Sequence, residues 1–324
     1  MPHHHLVPQF LLRNFANKRD ELRARARDDL TSGHLTSVNR ACNEIGFYRI
    51  NADDLEPWAR DGHDPEQVEK LFSALESGAA AVVAQLIESE IPHTEQDLLH
   101  LALFVAVQST RGWQFRDDMN QVATLHMRAE MQARAEELAG SARAFLRHRG
   151  EPAGPQDVAA FIERAYGEDG PRLVTPDPVL VQASLGLALH KLTPMLLART
   201  PRLYVFEEPA LVLSDAPVGS WAPGEGRAVG IGNADLVFMP LSRTVALVYG
   251  RETGKPIRSG TRLRARQINE LIADGATRWV YEHPDDDLVS KIELPAERPK
   301  WIPELLSVRE TPKERRELWQ HVRR

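Results

Sequence analysis

Three histidines open the chain, MPHHHLVPQFLLRNF, directly ahead of a short apolar segment that also carries Pro8, Gln9, Arg13 and Asn14. A purification tag normally holds more histidines and a linker, so His3, His4 and His5 read as native residues. Imidazole nitrogens can ligate a metal or carry a proton near neutral pH. Leu6, Phe10, Leu11 and Phe15 give the segment an apolar helical face to bury, which would hold the histidines in place. His4 and His5 are the candidate pair.

Further along, polar residues stand where the pattern calls for apolar ones. In DPEQVEKLFSALESGAAAVVAQLIES, Val68, Leu71, Phe72, Leu75, Ala79, Val82, Val83 and Leu86 recur at three- and four-residue spacings. This predicts an amphipathic helix entered at Asp64 with Pro65 at its first position. Glu76 falls inside the apolar arc, between the directions of Val83 and Ile87. A carboxylate buried there needs a cation, a metal or a proton; the alternative is a place at the rim, in reach of water. The next helix, started by Thr94, carries His100, Phe104, Val107, Gln108 and Arg111 on one narrow face. An arginine ending so apolar a segment suits a bidentate partner, either Glu76 or a substrate anion. ALVLSDAPV puts Asp215, and GIGNADLVF puts Asn233 and Asp235, where a strand meets a turn. Ligands bind at such places, and ordinary Asx turns form there; for Asp215 the turn is the simpler reading.

The strong catalytic signatures are missing: no Walker loop, no G-x-S-x-G elbow, no H-E-x-x-H and no paired C-x-x-C. Cys42 is the single cysteine and reads as a small buried hydrophobe rather than a nucleophile. Having no internal disulfide partner, it points to a reducing cytoplasm. No stretch approaches the roughly 18 uninterrupted apolar residues of a membrane span, and the start lacks the pattern of a secretory signal. The formal charge of −6 gives no global reason to expect nucleic-acid binding. Locally, residues 251 to 266 hold Arg251, Lys255, Arg258, Arg262, Arg264 and Arg266 against Glu252, a run that could meet the phosphates of nucleic acid or another ligand. A solvated loop followed by a helix face is the plainer reading of such a run.

The elements that must position these residues change character along the chain. Alternation in residues 21 to 40 predicts a strand, a turn at TSGH and a second strand, and GFYRI (46 to 50) reads as another short strand. Helical periodicity then runs through the middle of the chain, with breaks near Gly112, at EPAGPQD and near Pro194. RLYVFEE, ALVLSD, ADLVFMPLS and TVALVYG are strand-like; a helix at 261 to 274 and the strand TRWVYEH follow. The expectation is an α+β protein: a helical bundle over about 65–200 packed against a mixed or antiparallel sheet built from the N-terminal and C-terminal strands. Residues 1–290 would form one domain, and 291–324 a tail with a short helix.

Taken together, these stretches resemble a bacterial family known as domain of unknown function 4238. Its members are similar in opening with H-H-aromatic-[VI]-P-x-F-x-L-R-x-F, matched by His4, His5, Val7, Pro8, Phe10, Leu12, Arg13 and Phe15. They continue with stretches like Phe47-Tyr48, Glu76 to Ala79, Gln108 to Arg111, Ser214 to Val218, Pro240 to Ser242 and Asn269 to Tyr281. The sequence departs at Leu6, where the family more often carries an aromatic residue. The resemblance spans His4 to about Tyr281 and implies no particular activity.

Three functions follow from the residues. The first is a metal-dependent hydrolase acting on a phosphate-containing substrate such as nucleic acid. His4, His5, Glu76 and Asp215 would be the catalytic groups and the N/O ligands of a divalent ion. Gln9, Arg13, Asn14, Gln108, Arg111 and Asn233 would contact the substrate. The second is a non-catalytic module that binds nucleic acid or a protein through 251 to 266. The third is a metal-independent enzyme with His4 or His5 as general base.

Overall fold

The computed structural model describes residues 3–92, 94–167, 170, 172–224, 229–251, 254–294, 301–306 and 318–323. The fold is α+β. Where the sequence reading placed residues 1–290 in one domain, the chain's contacts divide it into two compact units, Met1–Phe115 with Asp177–Arg324, and Arg116–Pro176.

In the first unit, β1 (His3–His5) pairs with β4 (Asn43–Ile45) as an antiparallel ribbon, His4 opposite Glu44 and His5 opposite Asn43. A four-stranded antiparallel sheet joins the two ends of the sequence. Its order is β3 (Asp29–Ser37), β2 (Glu21–Ala26), β11 (Trp279–Glu282), β6 (Leu213–Ser214). A five-stranded sheet runs β10 (Ile257–Ser259), β5 (Thr200–Val205), β9 (Val245–Gly250), β8 (Leu236–Pro240), β7 (Gly219–Trp221), with only β10 parallel to its neighbour. The helices of this unit are α1 (Gln9–Arg13), α2 (Gln67–Ile87), α3 (Glu95–Thr110), α7 (Asp177–Leu187), α8 (Thr193–Leu197) and α9 (Arg262–Gly275).

Local chemistry explains most boundaries. The Thr94 hydroxyl accepts the Asp97 N–H at the start of α3, and Thr261 does the same for Arg264 at the start of α9. A π-turn at Ala188–Leu192 absorbs the approach to Pro194, which lacks the N–H that a regular helix would use. The apolar face of α2 lies in the core through Phe72, Val82, Val83 and Leu86. Gln67–Ile87 and Asp177–Leu197 are long and apolar enough to cross a membrane by length and composition alone. In α2, Val68, Phe72, Ala79, Val82, Val83 and Leu86 are buried within this unit.

The second unit contains most of α4 (Trp113–Ala133) together with α5 (Ala135–His148) and α6 (Pro155–Tyr166). Ala142, Leu146 and Val158 form its own small core, with Phe161 and Ile162 packed against it. The Asn120 and Thr124 side chains accept the backbone N–H groups of Thr175 and Leu173 and tie the returning segment to α4.

Three local expectations are corrected. The first hairpin turns at residues 27–28, not at TSGH. Asp29 accepts the N–H groups of Thr31 and Ser32 just beyond that turn. Gly33 instead lies inside β3, where a Cβ would crowd the stems of Arg25 and Arg23 at 3.1 and 3.2 Å. GFYRI is a turn, entered through Gly46 at φ +64°, which lets Phe47 and Tyr48 drop into the core while β4 takes the preceding residues. Finally, β13 (Leu318–Arg323) pairs with β12 (Trp301–Leu306) where a closing helix was expected, long-range pairing having overridden a weak local preference. Residues 311–317, where that helix would begin, lie outside the described residues.

At the seam of the four-stranded sheet Glu282 is 0% exposed, and its carboxylate accepts Arg25 Nε at 2.9 Å and the N–H groups of Leu288 and Val289 at 2.7 and 2.9 Å. Arg25 completes its own set on the Leu30 and Thr31 carbonyls and Asp287. Removing the acid strands a buried cation, so Glu282→Ala should cost about 3–5 kcal/mol in urea unfolding. A loss below about 1 kcal/mol, the range of exposed pairs, would show that the seam does not depend on this bond.

Candidate functional site

Helix α3 is buried along most of its length and ends at Thr110, so Arg111 emerges where the apolar segment stops. Its side chain is only 1% exposed. The guanidinium donates from Nη1 to Glu76 Oε1 at 2.5 Å, from Nε to Tyr48 Oη at 3.1 Å, and from Nη2 to the His5 carbonyl. It also lies over the rings of Phe72 and Tyr48, at 4.6 and 5.4 Å from their centres. Burial works against the charge, but Tyr48 and Glu76 outweigh it and hold the pKa above its ordinary value. Arg111 therefore does pair with Glu76, whose side chain keeps 23% exposure at the rim of α2.

His4 lies beneath the same group. Its Nδ1 accepts the Tyr48 backbone N–H at 2.8 Å, so in the neutral ring Nε2 carries the proton and donates to Glu66 at 2.8 Å. The ring is stacked on Tyr48, 10° from parallel. Arg49 takes the other Glu66 oxygen at 3.1 Å. Both nitrogens of His4 are thus committed to protein partners. His5 Nε2 sits 3.2 Å from the Asn39 carbonyl and 3.3 Å from the Gln9 amide. Burial lowers its pKa, opposed by the bond to the Asn39 carbonyl and aided by Arg111.

The remaining expected residues are spread out. The Asp215 carboxylate accepts the N–H groups of Thr277, Arg278 and Trp279 at 2.7, 2.7 and 3.1 Å, which braces the turn into β11. That turn presents Arg278 to Glu44 at 2.7 Å and to the face of Trp113 at 4.7 Å. Asn233 caps a local turn by accepting the Gly230 N–H at 2.8 Å. Arg13 donates to Gln9 at 2.7 Å, and Asn14 donates to the Leu241 carbonyl at 2.9 Å. Gln108 is buried with neither amide atom bonded among the described residues. Cys42 is buried, which pushes its thiol pKa up and leaves it a poor nucleophile. Among the described residues no group of three or more His, Cys, Asp or Glu side chains could hold a metal ion.

A second constellation was not singled out from sequence. Arg202 stands in one cross-strand row with Val248 and Phe238, and the neighbouring row sets Tyr204 beside Arg258. Arg202 is 4% exposed, yet its Nε and Nη2 have no hydrogen-bond partner among the described residues. Its Nη1 lies 3.8 Å from where a Cβ on Gly254 would sit, and Arg258 Nη2 occupies that same spot. Arg264 of α9 lies over the Tyr204 ring at 5.2 Å. The available signal was an arginine amid the apolar residues of RLYVF, followed by a basic run that returns to the same sheet.

These features define an α+β scaffold with a buried polar latch near its first strand and an arginine cluster on its larger sheet. The family model described as a protein of unknown function (DUF4238) matches residues 3–286, and the chain belongs to that family. No curated protein and no solved structure matches it.

Two outcomes follow from the latch. Arg111→Leu keeps the bulk but leaves Glu76 without its cation, and should cost about 3–5 kcal/mol in denaturant unfolding; a neutral result would mean that the latch is not structural. Glu69 on α2 is partly buried with Oε2 unbonded among the described residues, and burial raises its pKa. At pH 7 the folded state pays for ionising it; as pH falls through the raised value the native carboxyl protonates first and stability is regained. Glu69→Gln should therefore raise Tm at pH 7, with the gain shrinking toward pH 5. A Tm that drops at pH 7, or a gain that grows on acidification, would contradict this.

Proposed function

We propose that the protein binds a phosphate-bearing ligand, nucleic acid foremost, through the arginines of β5, β10 and α9. The observation that carries this reading is Arg202, a buried guanidinium with unbonded N–H groups beside a second arginine, Arg258. Burying a cation without an anion is costly, and a ligand phosphate held between Arg202 Nη1 and Arg258 would supply the missing countercharge. Arg251, Lys255 and Arg262 are exposed in the flanking segments, where they would meet further phosphates of a polymer.

A hydrolase would hold its substrate with the same arginines and would also need a group to activate water. His4 and Asp215, two of the residues expected to do so, are committed to Tyr48, Glu66 and the 277–279 backbone. Binding without a chemical step is accordingly the reading adopted.

Fluorescence anisotropy with a labelled single-stranded DNA tests it. Affinity should fall linearly on a log–log plot against salt, with a slope of about −0.7 per phosphate contact. Arg258→Ala with Arg264→Ala removes two charged hydrogen bonds of about 1.5–3 kcal/mol each, weakening binding by at least about a hundredfold. Salt-independent binding, or a double variant that binds like the parent, would overturn the proposal.

A further inference from the structure

The arginine cluster does not stand alone on its face of the sheet. A cleft of ≈ 320 Å³ lies on the same side, lined by Trp221, Phe238, Leu271 and Leu294 as apolar surface and by Arg264, Gln267 and the acids Glu270, Asp274 and Glu293 as polar groups. That volume is at the lower end of the range of small-ligand pockets, about 300–1,000 Å³. Trp221 is 43% exposed, a large aromatic group left half in water where the rest of its strand is covered.

Two residues join the cleft to the arginines. Phe238, in the cleft, stands in the same cross-strand row as Arg202, separated from it only by Val248. Arg264 also lines the cleft, and its guanidinium lies over Tyr204, the strand neighbour of Arg258. One side of the sheet therefore offers an aromatic, mostly apolar recess leading toward cations that lack an anion. A ligand matching both parts carries a flat, weakly polar ring system and a phosphate set apart from it.

We infer that this face binds a nucleotide, its base in the Trp221 cleft and its phosphate on Arg202 and Arg258, whether the nucleotide is free or ends a strand. The inference rests on the phosphate-binding reading and adds the base. Stacking on an aromatic side chain is tolerant of base identity. Gln267 offers a donor and an acceptor together, and Glu270 an acceptor, to whichever base edge faces them. Arg264 sits between the two parts, close enough to the cleft to support a stacked ring and on the path to Arg258.

Calorimetry with the full chain separates the two claims. The probes are the four nucleoside 5′-monophosphates, inorganic phosphate, adenosine, and an oligonucleotide with and without a 5′-phosphate. At least one monophosphate should bind tenfold or more tighter than inorganic phosphate, and Trp221→Ala should remove that advantage while leaving phosphate binding within twofold. Arg202→Met and Arg258→Ala should each weaken phosphate and nucleotide alike by tenfold or more. Thermal melting reports whether the buried Arg202 site still folds, and the partly exposed Arg258 gives an independent reading. A 5′-phosphate that improves oligonucleotide binding tenfold assigns the site to strand ends; no improvement with tight monophosphate binding assigns it to free nucleotides. If phosphate binds and no nucleotide binds better, the base site is wrong and the phosphate reading stands. If neither phosphate nor any nucleotide or oligonucleotide binds, both fall.

Discussion

A single buried cation, Arg111, holds together the part of the molecule where the chain begins. Its guanidinium reaches three acceptors from three separate segments: the His5 carbonyl of β1, the Tyr48 hydroxyl of the turn after β4, and the Glu76 carboxylate of α2. Each partner passes the constraint on. Tyr48 donates its backbone N–H to His4 and stacks on that ring, His4 donates to Glu66, and Glu66 accepts from Arg49. The end of α3 is thereby linked through unbroken bonds to the first turn of α2. Only a planar fork with donors in several directions can serve these acceptors at once; an ammonium on a flexible stem would hold fewer of them. Burial makes the arrangement all-or-none, because a guanidinium out of water is tolerable only when nearly every donor is used.

Arg202 presents the opposite case within the same unit. It is as deeply buried as Arg111, yet two of its nitrogens meet nothing among the described residues, and a second arginine, Arg258, lies close to it. Other buried charges are closely satisfied, as the Glu282–Arg25 seam and the three N–H groups on Asp215 demonstrate. Arg27, Arg128, Arg199 and Glu69 each also carry one unbonded buried atom among the described residues, but Arg202 leaves two guanidinium nitrogens without an acceptor, and local rules tend to be broken where a site has to work. Gly250 supports that view. A Cβ there would press on Leu236 at 3.2 Å and approach Arg202 Nη2 at 3.5 Å, so the strand keeps clear the space beside the guanidinium.

Much of this was legible in the sequence where periodicity and local chemistry decide the outcome. The spacing of Val68, Phe72, Val82 and Val83 marks α2; Thr94 marks the start of α3; and the helical angle placing Glu76 within an apolar arc anticipates its pairing with Arg111. Legibility ended where distant segments choose each other. GFYRI has strand propensity but becomes a turn, because the ribbon with β1 takes Asn43–Ile45 instead. The closing segment has helical composition but pairs with Trp301–Leu306. The partners of the candidate residues were hidden for the same reason: nothing local reveals that the second nitrogen of His4 will meet Glu66, sixty-two residues away, or that three backbone groups after α9 will occupy Asp215. Arg202 was visible as a charge in an apolar strand, but its lack of a partner is a property of the assembled sheet.

The residues carrying the family resemblance have a common role that bears on where function lies. His4 and Tyr48 belong to the latch, as do Glu76 and Arg111. Asp215 braces the turn into β11, and the Ser242 hydroxyl accepts the Val245 N–H in the turn before β9. Asn269 clamps the strand entering β6, taking the Val212 N–H at 3.1 Å and donating to the Ala210 carbonyl at 2.8 Å. These side chains use polar atoms inside the fold, whereas Gln108, in the same motif stretches, leaves both amide atoms unbonded among the described residues. Arg202, Arg258 and Trp221 lie outside the motif stretches. A ligand site at those residues, as proposed above, would be separate from the latch, in keeping with function being carried by sites built on a fold and not by the fold itself.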